Sequence, residues 1–323
     1  MLKLHLALLG VLVALAVALA LRGTASSPPA QRPSPESDSS ALLLPDAALL
    51  ATLDVRELRR SVWGRATLDR IAELHSVQGE QSCARRELEA VDRIHLAVRV
   101  ELAAEAAPSL AIVADGKLGA DGVLRCARAL TLSRQGDPVV SRLGSFATLR
   151  NRRGEGELAV RDGGPLILSG GSYFRELVDR AQGLVPTEAS LLQQLHRALH
   201  QQTRDAPLRL SWVLQPGWLE QWLGDAELGA SALGDVRAVS ASAQLAERLR
   251  VRAVFTTASV DSTPRVEQTL RDLLEPLTRA LELELGPGQV EHTISRDKER
   301  VRLQLSAPIL ALASKLEALS AAP

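Results

Sequence analysis

The chain has 323 residues, 46% of them hydrophobic, which is enough for one large domain or two ordinary ones and too apolar for wholesale disorder. Lys plus Arg and Asp plus Glu both number 38, so the formal charge is zero and the basic footprint of a nucleic-acid binder is missing. Aromatic residues make up only 2%, which argues against stacking surfaces for bases or sugars and leaves Leu, Val and Ala to build the core.

After Lys3 comes LHLALLGVLVALAVALAL, Leu4 to Leu21, with His5 its one polar member. At 1.5 Å per residue this run spans roughly 27 Å, close to the hydrocarbon thickness of a bilayer. A cleavable signal usually has a shorter apolar region, about 7–15 residues. Residues 1–22 therefore read as an uncleaved anchor, a transmembrane helix. Cleavage after Ala25, in GTASS, is the alternative and would release a secreted product. With Lys3 held inside, the rest of the chain faces the periplasmic side of the inner membrane. Residues 23–47 open with GTASSPPAQRPSPESDSSA, rich in Pro and Ser and without periodicity, a disordered tether.

The folded part begins near residue 48. ALLATLDV predicts a strand, and RELRRSVWGRATLDRIAEL a helix with Leu58, Val62, Leu68, Ile71 and Leu74 on its apolar side. RIHLAVRVEL alternates, placing Ile94, Leu96, Val98, Val100 and Leu102 on the inner face of a half-buried strand. PSLAIVADGKL predicts an antiparallel neighbour, ADGVLRCARALTLS a helix, and GSFATLRNRR to ELAVRDGGPLILSG a hairpin. Ser172 is placed to cap the helix YFRELVDRAQGL, and EASLLQQLHRALHQQTR predicts a connecting helix.

The second half repeats this order. LRLSWVLQ predicts a strand and PGWLEQWLG a helix with Trp218, Leu219 and Trp222 inward. VRAVSASAQLAERLRVRAVFTTA predicts a strand pair. A long helix follows from Thr263 and Pro264, with Pro276 inside it, then a hairpin over QVEHTISRDKERVRLQLSAP and a closing helix ILALASKLEAL. Aligning Gly64 with Gly224 sets Leu58 on Trp218 and Val62 on Trp222. The expected fold is α+β: two similar units, 48–205 and 206–323, each an antiparallel sheet with helices packed on one face.

Reactive constellations are scarce. Cys83 and Cys126 enclose a loop of about 43 residues and can pair in an oxidising compartment; two buried thiols are the alternative. His196 and His200 have the i, i+4 spacing of zinc helices, but Arg197 replaces the following Glu and the neighbours suggest a solvated face. The glycines of LSGGSYF lack the spacing and Lys of a phosphate loop, and Ser172 lacks a nucleophile elbow. Asp54, Asp92 and Asp235 sit where Asp commonly ends strands. Trp212, Trp218 and Trp222 read as core or interface anchors. No catalytic residue, cofactor or metal site is assigned.

LLATLDVRELRRSVWG and VDRIHLAVRV, with Cys83 before that strand and Cys126 on the next helix, resemble a class of uncharacterised exported, membrane-anchored proteins of high-GC Gram-negative bacteria of the myxobacterial type. The resemblance implies location and shape and carries no catalytic residues. The expected function is a non-catalytic, inner-membrane-tethered envelope protein that binds or scaffolds another protein, without nucleic acid. A carrier of a lipid or other apolar ligand is the alternative, and a hydrolase a more distant one.

Overall fold

The computed structural model describes residues 39–43, 46–61, 64–65, 81–99, 109–154, 156–185, 190–214 and 233–308. The apolar run Leu4–Leu21, most of the tether, Trp218, Trp222 and the closing helix lie outside these residues. Among the described residues, no helix is long and apolar enough to cross a membrane.

The fold is α+β and dominated by antiparallel strands. Its described residues divide into two compact units. One takes the chain up to Glu57 and again from Gln81 to Arg197; the other takes Leu58–Ser61, Gly64–Arg65 and the chain from Ala198 to Pro308. The expected boundary at residue 205 thus falls earlier, inside a helix. The tether is also shorter than expected. Ser39–Leu42 forms a 3-10 turn, Leu43 is buried, and Gln193 Nε2 donates to the Leu43 carbonyl at 2.6 Å.

In the first unit the strands are β1 (Leu49–Asp54), β2 (Val91–Arg99), β3 (Ser109–Gly116), β4 (Pro138–Leu143), β5 (Phe146–Asn151), β6 (Gly156–Val160) and β7 (Leu166–Gly170). They pair antiparallel in the order β1-β2-β3-β7-β6-β5-β4. The helices α2 (Gln81–Ala90), α3 (Ala120–Ser133) and α4 (Gly171–Ala181) lie within this unit, and α1 (Val55–Arg60) and α5 (Leu191–Gln202) begin in it and end in the other unit. Helix α3 has the expected bounds, but α2 and β4 were not foreseen. QSCARRELEA is too polar to announce a buried stripe, and PVVSRL is short, with Pro138 in the first position that a strand tolerates. Gly144 turns the β4–β5 hairpin at φ 59°, a conformation that favours glycine.

Two further expectations change. Helix α4 starts at Gly171 with Gly170 in the capping position, so Ser172 lies inside the first turn and is not the N-cap. Strand β2 does alternate, yet its more buried side carries Val91, His95 and Ala97, while Ile94, Leu96 and Val98 are half-buried. The register explains it: Leu50 faces Ala97, Thr52 faces His95, and Ala97 faces Ala111, all on the inner side.

The second unit contains β8 (Leu208–Val213), β9 (Val236–Leu245), β10 (Arg248–Thr257), α6 (Thr263–Leu285), β11 (Glu291–Asp297) and β12 (Arg300–Pro308). Its strand order is β8-β9-β10-β12-β11. Helix α6 buries Val266, Leu270 and Leu274, spaced by four, against Val236, Ile294 and Val301. Ser262 precedes it, Pro264 fits its first turn, and the helix continues through Pro276. Gly286 ends it at φ 97°, its N–H bonding the Glu282 carbonyl at 2.9 Å.

Candidate functional site

A buried polar arrangement grows from the inner face of the first unit. Opposed residues of neighbouring strands bring Thr52 of β1 beside His95 of β2, and α5 lowers His196 onto the same hydroxyl. Thr52 Oγ1 is 2.9 Å from His95 Nδ1 and 2.7 Å from His196 Nε2. His95 Nε2 lies 3.2 Å from Asp115 Oδ2, at the end of β3. Thr52, His95 and His196 are buried; Asp115 reaches partly into solvent.

Hydrogen-bond chemistry orders this chain. With Asp115 as a carboxylate, which only accepts, and His95 as a neutral imidazole, His95 Nε2 carries the proton and Nδ1 accepts from the Thr52 hydroxyl. Thr52 Oγ1 then accepts from His196 Nε2–H. Hydroxyl, imidazole and carboxylate follow one another as nucleophile, base and orienting group do in hydrolases. Thr52, however, is 3% exposed, and in this order its hydroxyl donates to one ring and accepts from the other. The arrangement ties β1, β2, β3 and α5 together.

His196 therefore overturns the expectation of a solvated face on α5, and His200 is half-buried. Gln193 and His196 point inward because polar partners wait for them: the Leu43 carbonyl and Thr52. Among the described residues, no group of three or more His, Cys, Asp or Glu could hold a metal ion.

The three aspartates singled out earlier each take a cation. Asp54 accepts from the Glu57 N–H at 2.9 Å, capping α1, and faces Arg93 at 3.5 Å. Asp92 pairs with Arg56 at 2.9 Å and Asp235 with Arg265 at 3.0 Å. Trp212 packs against the apolar core of the second unit. Cys83 and Cys126 form a disulfide that joins α2 to α3.

A fully buried arginine, Arg209 of β8, closes the end of α5 in the second unit. Its Nε and Nη2 donate to the Thr203 carbonyl at 3.0 and 2.8 Å, and Nη2 also to the Arg204 carbonyl. A cation at a helix C-terminus meets the free carbonyls and the negative end of the macrodipole.

The outer face of the first unit's sheet differs in character. Leu110 of β3 is 47% exposed and Leu168 of β7 is 40% exposed. Register sets Leu110 beside Val98, and Leu168 between Ile112 and Leu158. These side chains form one apolar patch on the side opposite His95. Thr52, His95 and Asp115 were not singled out by sequence. The available signal was a lone His alternating with Ala97 on the less apolar side of β2.

No protein-family model matches the chain, and no curated protein does. Among solved structures, crystal form III of TP0453 is similar, with a TM-score of 0.52 and 9% identity. The similarity covers 88% of this chain and 100% of that one. At that identity the likeness is one of fold alone.

Proposed function

We propose that the chain is a non-catalytic envelope protein, tethered to the inner membrane by Leu4–Leu21 and facing the periplasm, that binds another protein through the outer face of its first unit. The apolar patch around Leu110 and Leu168 carries the binding part of this reading, since monomeric surfaces rarely leave adjacent large aliphatic side chains on a sheet uncovered without a use. The Cys83–Cys126 disulfide supports the location, because such bonds persist in oxidising compartments. The enclosed Thr52 hydroxyl supports a non-catalytic role.

The two units are read as diverged copies. In each, three consecutive antiparallel strands are followed by a helix, and the last strand of the next hairpin pairs with the third: β1-β2-β3 with β7, and β8-β9-β10 with β12. The β4–β5 hairpin is then an addition to the first copy.

The same patch favours the second reading, a carrier of an apolar ligand, and one experiment separates the two. A photo-crosslinking amino acid is placed in cells at Leu110, at Leu168, and at exposed Lys298 of the β11–β12 turn as control. A discrete protein adduct at both patch positions and not at Lys298 is expected. Lipid adducts alone would move the assignment to the carrier, and no patch-specific adduct would remove both.

A further inference from the structure

Beneath α4 the first unit collects hydrogen-bond donors in excess of acceptors. Tyr173, Glu176 and Arg180 recur on one face of the helix at i, i+3 and i+7. Arg99, closing β2, lays its guanidinium 4.7 Å from the centre of the Tyr173 ring. Among the described residues each guanidinium has one carboxylate: Arg99 Nη2 pairs with Asp46, and Arg180 Nη2 with Glu176 at 3.3 Å.

Those pairings leave much unused. Arg99 Nε, Arg180 Nε and Nη1, and the Tyr173 hydroxyl are all buried and meet no hydrogen-bonding partner among the described residues. The Arg180 side chain is 6% exposed and Tyr173 1%. The carboxylates lie outward, Asp46 at 53% and Glu176 at 40%, where water screens them and weakens their hold on the buried cations. Burial, with Asp46 and Glu176, pushes the phenol well above its ordinary range against the opposing pull of Arg99 and Arg180. Tyr173 is therefore a neutral O–H donor at physiological pH.

Buried donors require acceptors. A water accepts but also brings two hydrogens, and this cluster's deficit is in acceptors. An oxyanion brings lone pairs alone, and guanidinium forks match its geometry. We propose that Arg99, Tyr173 and Arg180 bind a small oxyanion, the carboxylate or phosphate group of a ligand, beneath α4. This stands independently of where the protein works and of the apolar patch.

The test is calorimetric titration of the full-length protein in two arms, inorganic phosphate and acetate, at ionic strength held constant with chloride. Saturable binding of at least one anion is expected, and the arm that responds identifies the group. Tyr173→Phe keeps the ring under Arg99 and removes only the hydroxyl, so affinity should fall about tenfold, one hydrogen bond to a charged acceptor. Arg180→Lys keeps the charge but loses the fork and should fall at least as far. The proposal is overturned if neither anion binds saturably to the native protein, or if both variants bind with unchanged affinity.

Discussion

Thr52 holds two imidazoles with one oxygen, and its replacement is correspondingly specific. Thr52→Val keeps the shape and strips partners from His95 Nδ1 and His196 Nε2 together. Unmade buried hydrogen bonds cost about 1–3 kcal/mol each, so a loss of about 2–5 kcal/mol is expected in chemical denaturation, whereas Thr52→Ser should retain most of the stability. Tyr173 offers a second residue-scale test. Its phenol is raised in the fold above the ordinary value of about 10, so the native state prefers the protonated form. That contribution is full below about pH 10 and is lost as pH climbs toward the folded-state value, at up to about 1.4 kcal/mol per pH unit. Tyr173 is the chain's one tyrosine, so ultraviolet titration reads it without another phenol. The folded protein should resist ionisation to well above the titration range of the unfolded chain, and Tyr173→Phe should be free of this alkaline loss. None of these roles was visible in the sequence. His196 stands among Gln and Arg residues that suggest solvent, and only the register of β1 against β2 reveals the hydroxyl awaiting it.

At the scale of elements, periodicity served where burial is one-sided and failed where other forces hold the chain. Helix α3 and the strand before it, β3, could be read directly, because ADGVLRCARALTLS and PSLAIVADGKL carry strong patterns. Helix α2 has no such pattern; it is held by Cys83 and by backbone contact at its end, where Lys117 N–H bonds the Ala90 carbonyl at 2.9 Å. Gly116 makes that approach possible: a Cβ there would fall 2.0 Å from the Ala90 oxygen. Gly116→Ala should therefore displace α2 and cost about 1–3 kcal/mol, read as a lowered denaturation midpoint with unchanged slope. In the second unit the apolar stripe of α6 is orthodox, and Leu270→Ala should cost about 2–5 kcal/mol. The inner face of β2 was misassigned because Ile94, Leu96 and Val98 look like a core, while the deeper side is made of Ala97 and paired polar groups.

For the molecule as a whole, the described residues divide into two compact units, and the place of the division could not be read, since α5 runs across it without any Pro- or Gly-rich break. The cysteine pairing was foreseen as one of two states, and the contact between α2 and α3 selects it. A bridge closing a sequence separation of 43 restricts the unfolded chain by about 4 kcal/mol, so Cys83→Ser with Cys126→Ser should lose about that much, read by denaturation of the oxidised and variant proteins side by side. An exported, stapled body with an apolar docking face is the reading that unites the greasy leader, the disulfide and the patch. Its most direct measurement is thiol trapping in intact cells: a membrane-permeant mass tag applied to the native protein before and after reduction. The expected result is that Cys83 and Cys126 take the tag only after reduction. Two thiols tagged freely without reductant would place the protein in a reducing compartment and contradict the envelope assignment.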